Sequence, residues 1–156
     1  INSPLKNLPT FKNDVFANEK RSIEIFKRMF LLIFNEVLIT YGQDLITEQQ
    51  VGELLCDALM EIFVLNSTIS RLSQIPDEAD ETRIDETIIR VLLSEKGTEI
   101  YDYLSRALLA TVPENELTGK LKLLDKLYQK GRYLVDSVHL KQTIARHIIK
   151  QKKYKI

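Results

Sequence analysis

One cysteine, five glycines and four prolines are all that this chain of 156 residues holds of those three types. The single thiol, Cys56, rules out an intrachain disulfide and fits a reducing compartment. Cys56 stands beside Leu55 in an apolar stretch, so it is expected to be a small packed side chain. No histidine is placed near it to make it a nucleophile. So few glycines and prolines disfavour a turn-rich β-fold and favour long uninterrupted helices. Sustained apolar–polar alternation is missing too, and with it the signal of a strand. The longest apolar run, Met29 to Phe34, falls far short of the roughly 20 residues that a membrane-spanning helix needs. No basic stretch followed by a long apolar run marks a secretory leader. There is no internal repeat and no low-complexity tract. The chain opens on Ile1 rather than Met, from which a fragment of a longer chain is expected.

Motifs that carry chemistry are equally scarce. His139 and His147 stand about two turns apart on one expected helix, whereas metal pairs on helices want a spacing of three or four residues. Asp136, three residues before His139, is the expected helix cap, and His147 has no acidic or cysteine partner at such a spacing. There is no glycine-rich phosphate loop, no Gly-x-Ser-x-Gly elbow and no inward Glu-x-x-His arrangement of a di-iron bundle. Acids abound, but none stands alone in an apolar setting as a general base would. No catalytic, cofactor-binding or metal-binding residue is therefore assigned.

The net charge is zero, but it is unevenly spread. Asp77 to Glu116 holds eleven acids against four bases, and Lys120 to Ile156 holds eleven bases against two acids. The plainest account is that the acidic and basic segments face each other or solvent. The sharper one is a basic surface for an anionic partner. Interleaved aromatics and a turn-plus-recognition-helix signature are missing, so nucleic acid is not the expected partner. A basic amphipathic helix on an anionic membrane surface suits the tail better.

What the chain does have is helical periodicity. Residues 1–12, with two prolines and no period, read as a lead-in that Leu5, Leu8 and Phe11 can pin to a surface; residues 13–156 read as one bundle domain. A first helix is expected from about Val15 to Tyr41, capped by Asn13 or Asp14, with Glu19 near the favourable end of its dipole. Phe16, Ile23, Phe26, Phe30, Ile33, Phe34, Val37 and Tyr41 form its stripe. MFLLIF is apolar on nearly every side, which suggests cover from a second direction: another domain or a subunit. Gly42 reads as the stop. Thr47 to Gln50 reads as a capping box. Val51, Leu55, Ala58, Ile62, Leu65, Ile69 and Leu72 then recur at alternating spacings of four and three, one seam of a long helix that Ile75-Pro76 ends.

A third helix is expected over about 83–110, continuous through Gly97, with Ile84, Ile88, Val91, Leu92, Ile100, Tyr101, Leu104 and Leu108 inward. A fourth is expected over about 114–130, with Leu117, Leu121, Leu124 and Tyr128 inward and Gly131 as its stop. A short basic fifth is expected over about 137–152, capped by Asp136, with Val138, Leu140, Ile144 and Ile148 on its apolar side. The expected architecture is an all-α antiparallel bundle of about four long helices plus a short C-terminal basic helix.

Tyr41-Gly42, Ile46, Gln49-Gln50, Leu55, Asp57-Ala58, Ile62, Val64-Leu65 and Ser70-Arg71 together resemble the C-terminal extension of the very-long-chain class of acyl-CoA dehydrogenases. There a long helix ends in Lys-Tyr-Gly and an Ile-x-x-Gln-Gln segment opens the next. The close of the chain, Val135-Asp136-Ser137-Val138 with Leu140, Ile144-Ala145 and Tyr154, is similar to bacterial members. The run Glu95-Lys96-Gly97-Thr98-Glu99-Ile100 is only superficially like that family's flavin-proximal Glu-Gly-Thr-Asn motif, because Lys96 is inserted and the Asn is missing. The resemblance implies a non-catalytic bundle that packs on an FAD-dependent fatty acyl-CoA dehydrogenase core, with FAD and catalysis in that core and none in this chain. It implies the core or a second subunit as partner, and a bacterial cytoplasmic setting, peripheral to the membrane in some members, or a mitochondrial one in a eukaryote. The alternative is a free-standing helical adaptor for a protein or a membrane surface. The expected interaction surface is Phe30, Leu31 and Leu32 together with Lys150, Lys152, Lys153 and Lys155.

Overall fold

The computed structural model describes residues 8–11, 14–74 and 84–151. Five α-helices make up the described fold: α1 (Ala17–Tyr41), α2 (Gln49–Leu72), α3 (Ile84–Thr111), α4 (Glu114–Gly131) and α5 (Ser137–Gln151). They form an all-α bundle, with no strand among the described residues. A short 3-10 segment, Gly42–Ile46, joins α1 to α2 and turns them antiparallel. Ile75-Pro76, expected to end the second helix, lies outside the described residues, as do Leu5 and Asn13.

Helix α1 begins behind Asp14, whose Oδ1 accepts the Phe16 N–H at 2.9 Å and whose Oδ2 takes Lys20 Nζ. Its end is set by Gly42, which has φ +52 and whose N–H returns to the Leu38 carbonyl. Only glycine adopts such a φ without strain, so the stop read from sequence is a backbone necessity. Tyr41 adds a tie: its hydroxyl donates to the Ala110 carbonyl at 3.0 Å. That carbonyl belongs to the last turn of α3, where no intrahelical donor remains.

The expected capping box does not form. Thr47 has helical backbone angles rather than the extended ones of a cap. Its Oγ1 donates to the Asp44 carbonyl at 2.7 Å, closing the 3-10 segment instead. Glu48 stands at the cap position, with no side-chain bond.

The seam of α2 is as read: Val51, Leu55, Ala58, Ile62, Leu65, Ile69 and Leu72 are its buried residues. Helix α3 differs. It packs against α1, α2, α4 and α5, so its apolar residues are spread around it instead of along one stripe. Ile89 and Leu93 are fully buried, whereas the expected Ile88 and Leu92 are half-buried. The helix is continuous through Gly97, and the reason is packing. A Cβ there would lie 2.7 Å from Phe26 Cζ, and Phe26 is itself fully buried.

Gly131 works the same way. It is the last residue of α4 without a positive φ, and a Cβ on it would lie 2.7 Å from Ile25 Cγ2. It is a contact glycine rather than a left-handed stop. In α4, Leu124 and Leu127 are fully buried, while Leu117, Leu121 and Tyr128 pack half-buried against the core. Tyr128 stacks on Tyr101, with ring centroids 4.4 Å apart, and the Tyr101 hydroxyl donates to Asp125.

Helix α5 starts on Asp136, whose Oδ1 accepts the His139 N–H at 3.0 Å. Among the described helices it rests on α3 alone. Lys141 pairs with Glu95 across that contact, one point where the basic segment meets the acidic one. Leu140, Ile144 and Ile148 are half-buried, and Val138, expected inward, is exposed. The lead-in touches the bundle through Leu8, which packs half-buried against the core.

The two kinds of glycine should separate on substitution. Gly97→Ala is expected to cost about 1–3 kcal/mol, because the overpacking against Phe26 outweighs the gain in helix propensity. Gly119→Ala on α4, where nothing lies within 4 Å of the added Cβ, should gain up to about 1 kcal/mol. Urea unfolding followed by circular dichroism reads both. Equal shifts in the two variants would contradict the close approach at Gly97.

Candidate functional site: an apolar groove between two helices

Helix α2 carries more apolar residues than its core seam uses. Leu59, Met60, Phe63 and Val64 face outward and are exposed, Phe63 at 64%. Beside them on α1 stands Leu31, exposed at 60%, with Leu38 one heptad further on. Between the two helices runs a groove of about 380 Å³ lined by Lys27, Phe30, Leu31, Leu59, Ile62, Phe63 and Asn66. Phe30 stacks on Phe34 in its wall, with centroids 5.7 Å apart. Lys27 at the rim is held by Glu24 at 2.6 Å. A contiguous apolar patch of this kind marks an interaction surface more often than a solvated face.

Phe30 and Leu31, read from sequence as interaction residues, both line this groove. Leu32 does not join them; it is half-buried against the core on another side of α1. Lys150 is exposed in the last turn of α5, while Lys152, Lys153 and Lys155 lie outside the described residues. Leu59, Met60, Phe63 and Val64 were missed, because the regular inner seam of α2 drew the reading to one face. The signal was there: apolar residues on both sides of a helix mean cover from both sides. Cys56, expected to be packed, is exposed on this outer face of α2, one position beyond the buried Leu55.

A second feature, polar this time, lies in the first turn of α1. Glu19, in that first turn where its charge suits the helix dipole as read, is also buried, with 5% of its side chain exposed. Its Oε1 accepts the Tyr133 hydroxyl at 2.7 Å and lies 3.5 Å from Arg90 Nε. Arg90 reaches on to Glu86 at 3.4 Å. This carboxylate ties the bridge between α4 and α5 back to α1. Next to it, Arg90, Arg132, Tyr133, Leu134 and Val135 line an open hollow of about 350 Å³. Burial, and then the bond to Glu19, push the Tyr133 phenol up to about 12 from its ordinary value of 10. The Tyr101 phenol is likewise raised to about 12, first by its bond to Asp125 and then by burial.

Elsewhere Lys120 is shared by Glu36 and Glu116, and Lys96 by Glu61 and Glu99. The bond to Glu36 raises the Lys120 ammonium above its ordinary value, and the bond to Glu99 does the same for Lys96. These pairs link α1 to α4 and α2 to α3 at the surface. His139 is exposed, and His147 is half-buried with its Nε2 buried and unbonded. No group of three or more His, Cys, Asp or Glu that could hold a metal occurs among the described residues.

No family model matches the chain, and no curated protein or solved structure matches it. The residues behind the acyl-CoA dehydrogenase resemblance have structural duties of their own. Tyr41-Gly42 closes α1, Gln49-Gln50 opens α2, and Leu55, Ala58, Ile62 and Leu65 belong to its core seam.

Tyr133→Phe removes the short bond to a buried carboxylate and should destabilise the fold by about 1–3 kcal/mol. The pH dependence follows from the raised phenols. A tyrosine whose folded pKa exceeds its unfolded one stabilises the fold below pH 10, and that contribution fades as the pH climbs towards 12. Denaturant midpoints should therefore fall over this window. The fall should shrink in Tyr133→Phe and further in the double variant with Tyr101→Phe. An unchanged pH profile in the double variant would remove both tyrosines from the account.

Proposed function

We propose that this chain is a helical docking domain that holds a protein partner on the α1–α2 face. One observation carries the reading: Leu59, Met60, Phe63 and Val64 are exposed on the outer face of α2, and Leu31, Leu59 and Phe63 line a groove that the described helices leave open. The core does not need these side chains, since α2 buries a complete seam on its other side. Exposed aromatic and aliphatic groups clustered beside a groove are the usual anchors of a protein contact. No helix among the described residues is long and apolar enough to cross a membrane.

The sequence resemblance gives this reading a fuller form. In it the chain is the non-catalytic C-terminal domain of an FAD-dependent fatty acyl-CoA dehydrogenase, and the face meets the catalytic core or a second subunit. What supports that form is the resemblance alone. It predicts that the purified chain folds as helix and keeps no flavin; stoichiometric FAD on these 156 residues would sink it. The docking reading has its own test. A photo-activatable side chain at Met60 is expected to form covalent protein adducts, while the same group at Asn115, exposed at the start of α4, is not. Equal labelling at the two positions, or none at Met60, contradicts a docking face on α2.

A further inference from the structure

The outer face of α2 is open along its length. Glu53, Cys56, Met60, Phe63, Ser67 and Ser70 run down it in one line, and all are exposed. Its centre, Cys56, Met60 and Phe63, keeps the three-and-four spacing of apolar groups that a helix–helix contact uses. Helix α2 therefore has one face filled by the bundle and one, apolar at its centre, left open by the described helices.

The order of residues along the open face is self-complementary in one direction only. Its N-terminal part is acidic, with Glu53 and Asp57. Its middle is apolar, with Met60, Phe63 and Val64. Its C-terminal part is small and basic, with Ser67, Ser70 and Arg71. Laid antiparallel on itself, Phe63 meets Val64, the long Met60 meets the small Ser67, and Arg71 comes between Glu53 and Asp57 of the other copy. Laid parallel, acids meet acids and Arg71 meets Arg71. Glu53 and Arg71 have no ion-pair partner among the described residues, so both charges are available. Opposed helix dipoles add to the antiparallel preference.

The area is adequate as well. A helix of 24 residues is about 36 Å long at 1.5 Å per residue. With α1 packed beside it, the face is roughly 20 Å wide. Such a face offers on the order of 700 Å², close to the roughly 800 Å² per partner of a specific interface.

We infer that the α1–α2 face pairs two copies of this chain, with α2 antiparallel to α2 across a two-fold axis beside Phe63 and Val64. This rests on the docking reading and names its occupant. An isologous contact needs a patch that fits its own image, and the acid–apolar–base order of α2 is such a patch. The apolar centre supplies the affinity. The Arg71 contacts at both ends set register and direction.

Sedimentation of the purified full chain across the micromolar range is expected to show a monomer–dimer equilibrium. Phe63→Asp should shift it to monomer with the helical signal unchanged, because Phe63 is exposed and outside the core. Arg71→Glu should weaken the dimer several-fold, and adding Glu53→Arg with Asp57→Arg should restore it. Register is read by oxidation. In a Cys56→Ser background, Val64→Cys is expected to give a covalent dimer. The native thiol is not, since two Cys56 would stand about 20 Å apart along the antiparallel helices at 1.5 Å per residue. Cross-linking through Cys56 itself would indicate parallel pairing and overturn the register. A dimer that survives Phe63→Asp would overturn the face. A chain that stays monomeric at every concentration would overturn self-pairing, and adducts with a different protein at Met60 would then leave the docking reading standing.

Discussion

Helices α3 and α4 can come close to α1 only because each brings a glycine to the same place. Gly97 lies against the Phe26 ring, and Gly131 lies against Ile25 and the edge of that ring. Phe26 and Ile25 are fully buried, so neither can retreat from an added methyl group. The position of α3 in turn decides where α2 and α5 rest, since both pack on it. The bundle is thus hung on one apolar pair of α1 and two small residues opposite it. Surface ties such as Lys120 to Glu36 and Lys96 to Glu61 then span the helix pairs so placed. Exposed ion pairs contribute little each, whereas a buried large residue contributes about 1.5–3 kcal/mol.

Helix α2 was legible because it is half covered. A helix packed on one side writes that side as a single period, and seven of seven positions in its seam are the buried ones. Helix α3 was legible as a helix and at Ile84, Val91, Ile100, Leu104 and Leu108, which are buried as read, whereas Ile88 and Leu92 gave way to Ile89 and Leu93 because four neighbours surround the helix and its apolar residues follow no single stripe. Gly97 could be read from sequence only as a cost to the helix; the Phe26 ring that makes it necessary is 71 positions away in the chain. The capping box at Thr47 failed for a local reason. A hydroxyl near the end of one turn can bond backward as well as forward, and here the Asp44 carbonyl took it. Glu19 was legible as a first-turn acid but not as a buried one, because its partners, Tyr133 and Arg90, come from distant elements.

The candidate site was half visible. MFLLIF said that α1 has more apolar surface than one bundle face needs, and Phe30 and Leu31 do line the groove. Its other wall, Leu59 and Phe63, was hidden by the regularity of the inner seam. The basic tail was singled out on charge alone, and the one lysine of that set within the described residues, Lys150, lies on a helix that touches only α3. Charge patterns identify segments, but they do not say what a segment is near.

The polar and apolar features of this fold differ in what they leave unmet. On one hand, Glu19, Arg90 and Tyr133 close the structure on itself: a buried carboxylate with a hydroxyl donor and a guanidinium beside it satisfies its charge internally and asks for nothing outside. On the other, Leu31, Met60 and Phe63 gain nothing from the fold and cost solubility while they stay in water. Satisfied burial and unsatisfied exposure are opposite signs of purpose. The Glu19 network would be disturbed by a ligand that competed for its donors, so the neighbouring hollow at Arg132 is best understood as the outside of a structural tie. The α1–α2 face is instead completed by cover, and a second α2 face in the antiparallel direction supplies apolar, small and charged groups in the order that the first one lacks.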